Sequence, residues 1–231
     1  NDIQHAARII ANSSPCSFVY GLDSLIAEHP TEYVKSVINL ALVTGNIGKS
    51  GAGLFPMFHG ANQQGSRDIG CTPDLLPGYK KVSSESDRKT FESVWGIGLP
   101  NQTGVGISEL GCKLKEGHIK ALYLLDADEF ITENDINLVI NNRDKLDLLV
   151  VHSSFSNQLT EIADIVIPSK LFAEKNGTYT NLERRIQLLT RIPGMNEDLF
   201  ENWEFLSTVG SHMKVNGFAF KTSQEVFENK A

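Results

Sequence analysis

The sequence predicts an α/β fold in which a mostly parallel sheet carries flanking helices on both faces, giving three layers. Three short apolar runs lead to this prediction, at residues 119–125, 148–151 and 165–167. Runs of this length without polar alternation are typical of strands that are buried on both faces. Between the first two runs, Ile136, Val139 and Ile140 recur at helical spacing, so a helix is predicted over residues 133–142. Strands that alternate with helices favour parallel pairing and right-handed crossovers.

The other elements are predicted from capping residues and periodicity. Apolar residues recur at helical spacing between Thr31, the predicted N-cap, and Gly45, the predicted left-handed residue after the helix. A strand is predicted at residues 17–20, and Pro168 is expected to end the third strand of the sheet. Further helical segments are predicted at residues 3–12, 87–94, 106–116, 158–163, 202–213 and 222–228.

The most unusual segment is residues 45–79, which hold 8 of the 19 glycines and carry no net charge. Glycine at this density allows backbone amides to approach a bulky ligand closely. Loops this long are usually either functional or disordered. We favour the functional interpretation because large apolar side chains in the segment need burial; they are Ile47, Leu54, Phe55, Met57, Phe58, Ile69, Leu75 and Leu76.

Composition excludes several functional classes. The net charge of −7 and the pI of about 5.4 argue against a nucleic-acid surface. No run of 18 apolar residues and no signal peptide is present, so we expect a cytoplasmic chain without membrane insertion, either free or peripheral to a membrane complex. Cys16, Cys71 and Cys112 are isolated, which fits a reducing compartment and argues against an iron–sulfur cluster or a structural zinc in this chain. No catalytic or metal-binding side chains are predicted.

Polar residues follow the first two predicted strands. Asp126 and Asp128 come after residues 119–125, Thr132 follows one turn later, and Ser153 follows the next strand. In open α/β sheets, ligands bind beyond the carboxyl ends of the strands. A carboxylate there can bind the N–H groups of guanine or a ribose hydroxyl. Asp128 could equally cap the next helix.

The sequence contains three weaker functional signals. Asp126, Asp128 and Glu129 could hold a hard cation or form a solvated turn. His152 could act as an acid or base, although a lone histidine at a strand end is more often structural. The glycines at 48, 51 and 53 follow a predicted helix instead of a strand, so a dinucleotide-binding fingerprint is not supported. Residues 174–187, with the turn signal Asn176-Gly177, are expected to form a surface hairpin or loop.

Taken in order, several blocks of the chain resemble the molybdopterin oxidoreductase superfamily, which includes formate dehydrogenase catalytic subunits and the large subunit of NADH–quinone oxidoreductase. The matching blocks are TGNIGKSGAGLFP, GANQQGSRDIGCTPDLLPGY, FESVWG, GHIKALYLLDADEFIT, IADIVIPSKLFAEKNGTYTNLERRIQ and NWEFLSTVG. Each block is weak alone, but their order and spacing together identify the resemblance.

The resemblance implies a site for a bis-molybdopterin guanine dinucleotide carrying molybdenum or tungsten. Asn62, Gln64 and Gly65 match the family's Asn-x-Gln-Gly motif, where the loop passes the cofactor. Strand-end residues would complete the site; they are Asp126, Asp128, Thr132 and Ser153. The resemblance also implies three parts, with 1–60 ending one α/β domain, 61–170 forming a second and 171–231 starting a cap or linker region.

Several residues depart from the family pattern. Phe58, or His59 with a gap, stands where formate dehydrogenases have an arginine, and Asp126 stands at the usual strand-end glycine. Ser153 and residues 157–159 replace the family's Asp and Thr-Glu-Thr. The family's iron–sulfur domain, its metal-binding Cys or selenocysteine and its C-terminal domain are not recognisable here. These departures favour the NADH–quinone oxidoreductase branch, whose equivalent arm resembles an enzyme remnant without its metal.

We therefore expect a piece of a larger subunit in an NADH- or formate-linked electron-transfer complex whose parent protein carries iron–sulfur clusters. Its partners would be the other domains of the same subunit and other electron-transfer subunits. Two alternatives remain open, a scaffold that keeps the fold without the cofactor and a module that binds guanine through Asp128.

Overall fold

The computed structural model describes residues 1–21, 30–57, 60–126, 132–195, 198–214 and 217–228. The chain divides into two compact units, one formed by residues 1–64 and 180–187 and the other by residues 65–179 and 188–231. The three-part division implied by the resemblance concerns a longer protein and stays a prediction. Within the described residues, no helix has both the length and the apolar character needed to cross a membrane.

The first unit contains a parallel pair of strands and two helices. Its elements are α1 (Asp2–Asn12), β1 (Ser17–Tyr20), α2 (Pro30–Val43) and β2 (Gly53–Pro56). β1 pairs in parallel with β2, with Ser17 opposite Gly53. The prediction of Thr31 as the N-cap of α2 is wrong, because the helix already includes Pro30. Proline is well suited to a first helical position, since it has no N–H group that needs a partner.

A left-handed glycine and a buried asparagine order the end of α2. Gly45 has a φ of +65°, as predicted for the residue after the helix. The next residue, Asn46, is fully buried, and its Oδ1 accepts a hydrogen bond of 3.0 Å from the backbone N–H of Cys16. Its Nδ2 donates to the Thr44 hydroxyl at 3.0 Å. The beginning of the glycine-rich segment is therefore anchored to the chain just before β1.

The glycine-rich segment contains regular structure that its composition did not predict. β2 lies within it, followed by α3 (Gln63–Asp68) and the short strand β3 (Leu75–Leu76), which pairs in antiparallel fashion with β4 (Lys80–Lys81). These elements divide the segment into shorter connections.

The second unit is built around the predicted sheet. β5 (Ala121–Leu125), β6 (Leu148–Ser153) and β7 (Ile165–Pro168) pair in parallel, in that order. The helices of this part of the chain are α4 (Glu85–Trp95), α5 (Ile107–Lys115), α6 (Glu133–Ile140), α7 (Gln158–Ile162), α8 (Asn202–His212) and α9 (Ser223–Glu228). The α/β prediction, with parallel strands and flanking helices, is confirmed.

The core of this unit lies on one face of β6. Leu149 and Val151 on that face pack with Leu114 of α5, Val139 of α6 and Leu159 of α7. On the opposite face, the ring of His152 meets the ring of Phe205 of α8 edge-on, with the centroids 5.4 Å apart. Helices therefore cover β6 on both sides, and its carboxyl end is enclosed.

A second strand pair was placed only loosely by the sequence. β8 (Gly177–Thr180) pairs with β9 (Ile186–Leu189), so the predicted hairpin is present. The prediction of a turn at Asn176-Gly177 is wrong, because these residues lead into β8, and the connection between the strands lies at residues 181–185. There the Asn181 Oδ1 accepts hydrogen bonds from the backbone N–H groups of Glu183 and Arg185.

Candidate functional site

Asp126 closes the carboxyl end of β5 in a backbone conformation that favours glycine. Its φ is +47°, and its N–H donates to the His152 carbonyl at 2.9 Å, which extends the pairing of β5 with β6 by one residue. Non-glycine residues with positive φ are uncommon, and they tend to mark turns or functional positions. The carboxylate is thereby directed across the end of the sheet.

Three donors converge on this carboxylate from later parts of the chain. Oδ1 accepts a hydrogen bond from the Ser169 hydroxyl directly after β7. Oδ2 forms an ion pair of 2.5 Å with the ammonium of Lys175 and accepts a hydrogen bond from Asn202 Nδ2 at the start of α8. The Lys175 ammonium also donates to the Ser169 hydroxyl at 3.3 Å. These four side chains are called the Asp126 cluster below.

The cluster holds Asp126 ionised. Burial by itself raises the pKa of Asp126, because it disfavours the charged form. Hydrogen bonds from Lys175 and Ser169, the charge of Lys175 and the hydrogen bond from Asn202 outweigh that effect, so the pKa lies below its usual value. The Asp126–Lys175 pair is electrically neutral as a unit, and both charges are accounted for within the protein.

His152 lies beneath the cluster and is 1% exposed. Its Nδ1 is 3.0 Å from the Tyr123 hydroxyl, while Nε2 makes no hydrogen bond of good geometry with any residue that the structure describes. Burial lowers the pKa of His152 below its usual value, and the nearby charge of Asp126 only partly opposes this. The imidazole is enclosed and its pKa favours the neutral form, and its role as an acid, a base or a structural residue stays a prediction.

Two predicted site residues at the strand ends have local structural roles. Thr132 is the N-cap of α6, where its Oγ1 accepts from the Asp135 N–H at 3.3 Å and the Asp135 carboxylate accepts from the Thr132 N–H at 3.1 Å. Ser153 is 6% exposed, and its hydroxyl donates to the Phe155 carbonyl at 2.5 Å in the turn after β6.

The predicted loop residues lie around α3. Asn62 precedes the helix, and its Oδ1 accepts from the Thr180 N–H at 2.9 Å within the first unit. Gln64 is half-buried in α3, and Gly65 is buried there at the start of the second unit. Their assignment to a cofactor stays a prediction. Asp128, like Glu129, Phe58 and His59, lies outside the described residues.

Sequence reasoning found Asp126 but missed its three partners. Ser169 follows a predicted strand that Pro168 ends, so the rule that led to Asp126 and Ser153 could have found it as well. Lys175 and Asn202 are 49 and 76 residues from Asp126, and no local pattern links either of them to the end of the sheet. Only the tertiary fold brings them there.

The Asp126 cluster is an oxyanion site whose donors are already occupied. An ammonium, a hydroxyl and an amide N–H₂ are the donors that proteins use to hold oxyanions. Here all three are occupied by a carboxylate of the same chain. Among the described ranges, no group of three or more His, Cys, Asp or Glu residues is arranged to hold a metal ion, and Asp126 is committed to Lys175.

Comparison with known proteins gives one matching family. A family model described as molybdopterin oxidoreductase matches residues 7–211. The chain is 37% identical over 196 residues to the probable oxidoreductase YjgC of Bacillus subtilis, which covers 85% of this chain and 20% of the relative. It is 30% identical over 231 residues to formate dehydrogenase H of Escherichia coli, covering 99% of this chain and 32% of that relative.

A third relative is named for a different electron donor. The chain is 33% identical over 206 residues to the NADPH-Fe(3+) oxidoreductase subunit alpha of Geobacter sulfurreducens, covering 89% of this chain and 24% of the relative. The chain therefore spans from a fifth to a third of the length of these three relatives.

Proposed function

Since the chain belongs to the molybdopterin oxidoreductase family, we propose that it is the central part of a large subunit in an NADH- or formate-linked electron-transfer complex. The observation that carries the proposal is the family match over residues 7–211, within which the parallel sheet of the second unit lies. Relatives named as formate dehydrogenases and as an NADPH-linked oxidoreductase support this class of reaction. Because the relatives are about three to four times longer than this chain, the activity would belong to the parent subunit.

The proposal is tested on the intact parent complex. Purified complex should reduce an artificial electron acceptor when formate or NADH is added, and its large subunit should carry iron–sulfur clusters visible by electron paramagnetic resonance. The 231-residue chain alone should not oxidise formate. Absence of both clusters and electron transfer in the intact complex would refute the proposal, and so would formate oxidation by the isolated chain.

Family membership implies a molybdopterin cofactor in the parent protein. When bound, such a group supplies the redox chemistry, and the protein positions it and adjusts its electronic properties. The described end of β5 does not fit the diphosphate of a guanine dinucleotide form. The donors that could hold a phosphate there, Lys175, Ser169 and Asn202, already bind the Asp126 carboxylate.

The Asp126 cluster favours a second candidate function, a scaffold arm that keeps the family fold without the cofactor, as in the NADH–quinone oxidoreductase branch. The two candidates differ in metal content. Elemental analysis of the parent complex, together with fluorescence of the oxidised pterin released by acid, would decide between them. About one molybdenum or tungsten per large subunit would exclude the scaffold, and absence of both metal and pterin would support it.

A further inference from the structure

The Asp126 cluster combines the donors of an anion receptor with an anion that belongs to the same chain. Lys175, Ser169 and Asn202 supply an ammonium, a hydroxyl and an amide N–H₂, and the carboxylate that they bind is that of Asp126. Proteins use the same donors to bind external oxyanions. If these donors keep their places without the Asp126 side chain, they form a receptor for an anion from solution.

Two of the donors are held by contacts that do not involve Asp126. Ser169 is 5% exposed, and its backbone N–H donates to the Ser153 carbonyl at 2.9 Å, directly after β7. The Asn202 Oδ1 lies 3.0 Å from the Ser169 Oγ, so the Nδ2 of the same amide faces the carboxylate. Removal of the Asp126 side chain therefore leaves the hydroxyl and the amide side by side.

A second set of contacts holds Lys175 beside α8. The next residue, Asn176, donates to the Glu201 carboxylate from its backbone N–H at 3.2 Å and from its Nδ2 at 3.1 Å. Glu201 directly precedes α8, so the backbone around Lys175 stays connected to the start of that helix without Asp126. The Lys175 ammonium also donates to the Ser169 hydroxyl at 3.3 Å, which keeps its charge at the end of the sheet.

The arrangement of donors suits a carboxylate, and one edge of the site is open to solvent. One carboxylate oxygen accepts from Ser169, and the other accepts from Lys175 and Asn202. Two oxygens are therefore enough for all three donors, whereas a phosphate would bring further oxygens that have no donor in the cluster. The side chains of Asp126 and Lys175 are 34% and 21% exposed, so a small ion has a route to the ammonium.

We propose that Asp126 is the built-in ligand of a carboxylate-binding site and is the residue that keeps external carboxylates away from the end of β5. Replacing it by glycine removes a methylene and a carboxylate, which together have the size of an acetate ion. Glycine also suits the φ of +47° at this position. The Asp126→Gly chain should therefore bind acetate in place of the missing side chain. The inference does not rest on the proposed function, because acetate binding needs neither a pterin nor electron transfer.

The test is saturation-transfer difference NMR of acetate with the 231-residue chain, at neutral pH and at an ionic strength kept constant with chloride. Asp126→Gly should give a saturable acetate signal, and the unmodified chain should give none because Asp126 fills the site. Adding Lys175→Met to Asp126→Gly should weaken the affinity about tenfold or more, since a charged donor is lost. Adding Lys89→Met on exposed α4 instead changes the net charge equally and should leave the affinity unchanged.

Urea unfolding of Asp126→Gly gives a second readout. A ligand that binds only the folded chain raises the unfolding midpoint, so acetate should raise it further than the same concentration of chloride. Acetamide has the shape of acetate without its charge and should not have this effect. If Asp126→Gly is unfolded in chloride, circular dichroism should show that acetate restores the folded chain.

The proposal is overturned if Asp126→Gly neither binds acetate nor is stabilised or restored by it. Equal acetate binding by the unmodified chain, or by the variant that also carries Lys175→Met, overturns it as well. Tighter binding of inorganic phosphate than of acetate overturns the assignment to a carboxylate. The metal content of the parent complex, which tests the proposed function, is measured separately from all of these outcomes.

Discussion

Asp126 shows how one residue can combine an unfavourable backbone with favourable side-chain contacts. A positive φ outside glycine costs on the order of 1–3 kcal/mol and persists only when the surroundings compensate. The surroundings here are an ammonium, a hydroxyl and an amide that all bind the same carboxylate. These contacts explain why an aspartate is stable at a position where glycine is usual in the molybdopterin oxidoreductase family.

Replacing Asp126 by Asn should destabilise the chain by roughly 1–2 kcal/mol, since Lys175 loses its counter-charge and Asp126 is only partly shielded from solvent. Asn tolerates the left-handed backbone, so the change reports mainly the charge. The measurement is urea unfolding at neutral pH. A cycle with Lys175→Met should show that the two losses are not additive. Additive losses would mean that the ion pair contributes nothing of its own.

The same ion pair predicts a dependence on pH. The pKa of Asp126 is lower in the folded chain than in the unfolded chain, so its contribution is complete above the unfolded value of about 3.9. The contribution is lost as the pH falls through the folded pKa. The stability difference between the unmodified chain and Asp126→Asn should therefore shrink in acid, and a difference that grows in acid would contradict this origin.

His152 predicts a second effect of pH in a higher range. Burial lowers its pKa, so the unfolded chain binds a proton more readily than the folded chain. Stability should be complete above the unfolded pKa of about 6.5 and should decrease as the pH falls below it. His152→Phe, which keeps an aromatic ring beside Phe205, should remove this decrease. The free energy of unfolding is measured for both proteins from pH 7.5 to 5.5, about one unit on either side of the unfolded pKa. An equal decrease in both proteins would contradict the prediction.

Among the elements, α6 depends visibly on its first turn. Thr132 and Asp135 form a reciprocal cap in which each side chain accepts from the backbone N–H of the other. Such caps satisfy N–H groups that have no partner inside the helix. Val139 of this helix is 2% exposed in the core of the second unit, so a loosened helix start would be transmitted to the sheet.

Thr132→Ala should therefore lower the free energy of unfolding by about 1 kcal/mol. Thr90→Ala, within exposed α4, provides the control, because it removes a similar hydroxyl without removing a cap. Denaturant unfolding monitored by circular dichroism distinguishes the two. If Thr132→Ala and Thr90→Ala have equal stability, Thr132 does not act as a cap in solution.

At the scale of the whole molecule, each of the two compact units exposes large apolar side chains. Ile3, Val43 and Leu188 are 78%, 81% and 80% exposed, and β1 and β2 form a parallel pair, although parallel sheets are normally covered on both faces. Large apolar side chains exposed in this number favour contact with another protein surface. The relatives, which are several times longer, provide such surfaces within one chain.

The chain on its own should therefore self-associate, with a mean mass in analytical ultracentrifugation that rises with protein concentration. Val43→Ser combined with Leu188→Ser should reduce the association, because both changes remove exposed apolar area. A constant monomer mass across the concentration range, for the unmodified chain, would contradict the prediction.

The sequence by itself determined the elements that local patterns specify. The three strands of the central sheet, the helix between the first two of them and the left-handed Gly45 all follow from short-range periodicity and backbone preference, which act within a few residues. The sequence also determined the family, because several short motifs occur in the same order and with a similar spacing as in the family.

Only the tertiary structure decided what occupies the end of β5. Asp126 meets Lys175 and Asn202, which are 49 and 76 residues away in the sequence. Such contacts depend on how the sheet and helices pack. The sequence alone does not show whether a charged side chain contacts solvent, another side chain or a ligand. Burial and pairing are properties of the folded chain, and they convert Asp126 from a predicted ligand contact into a residue bound by its own protein.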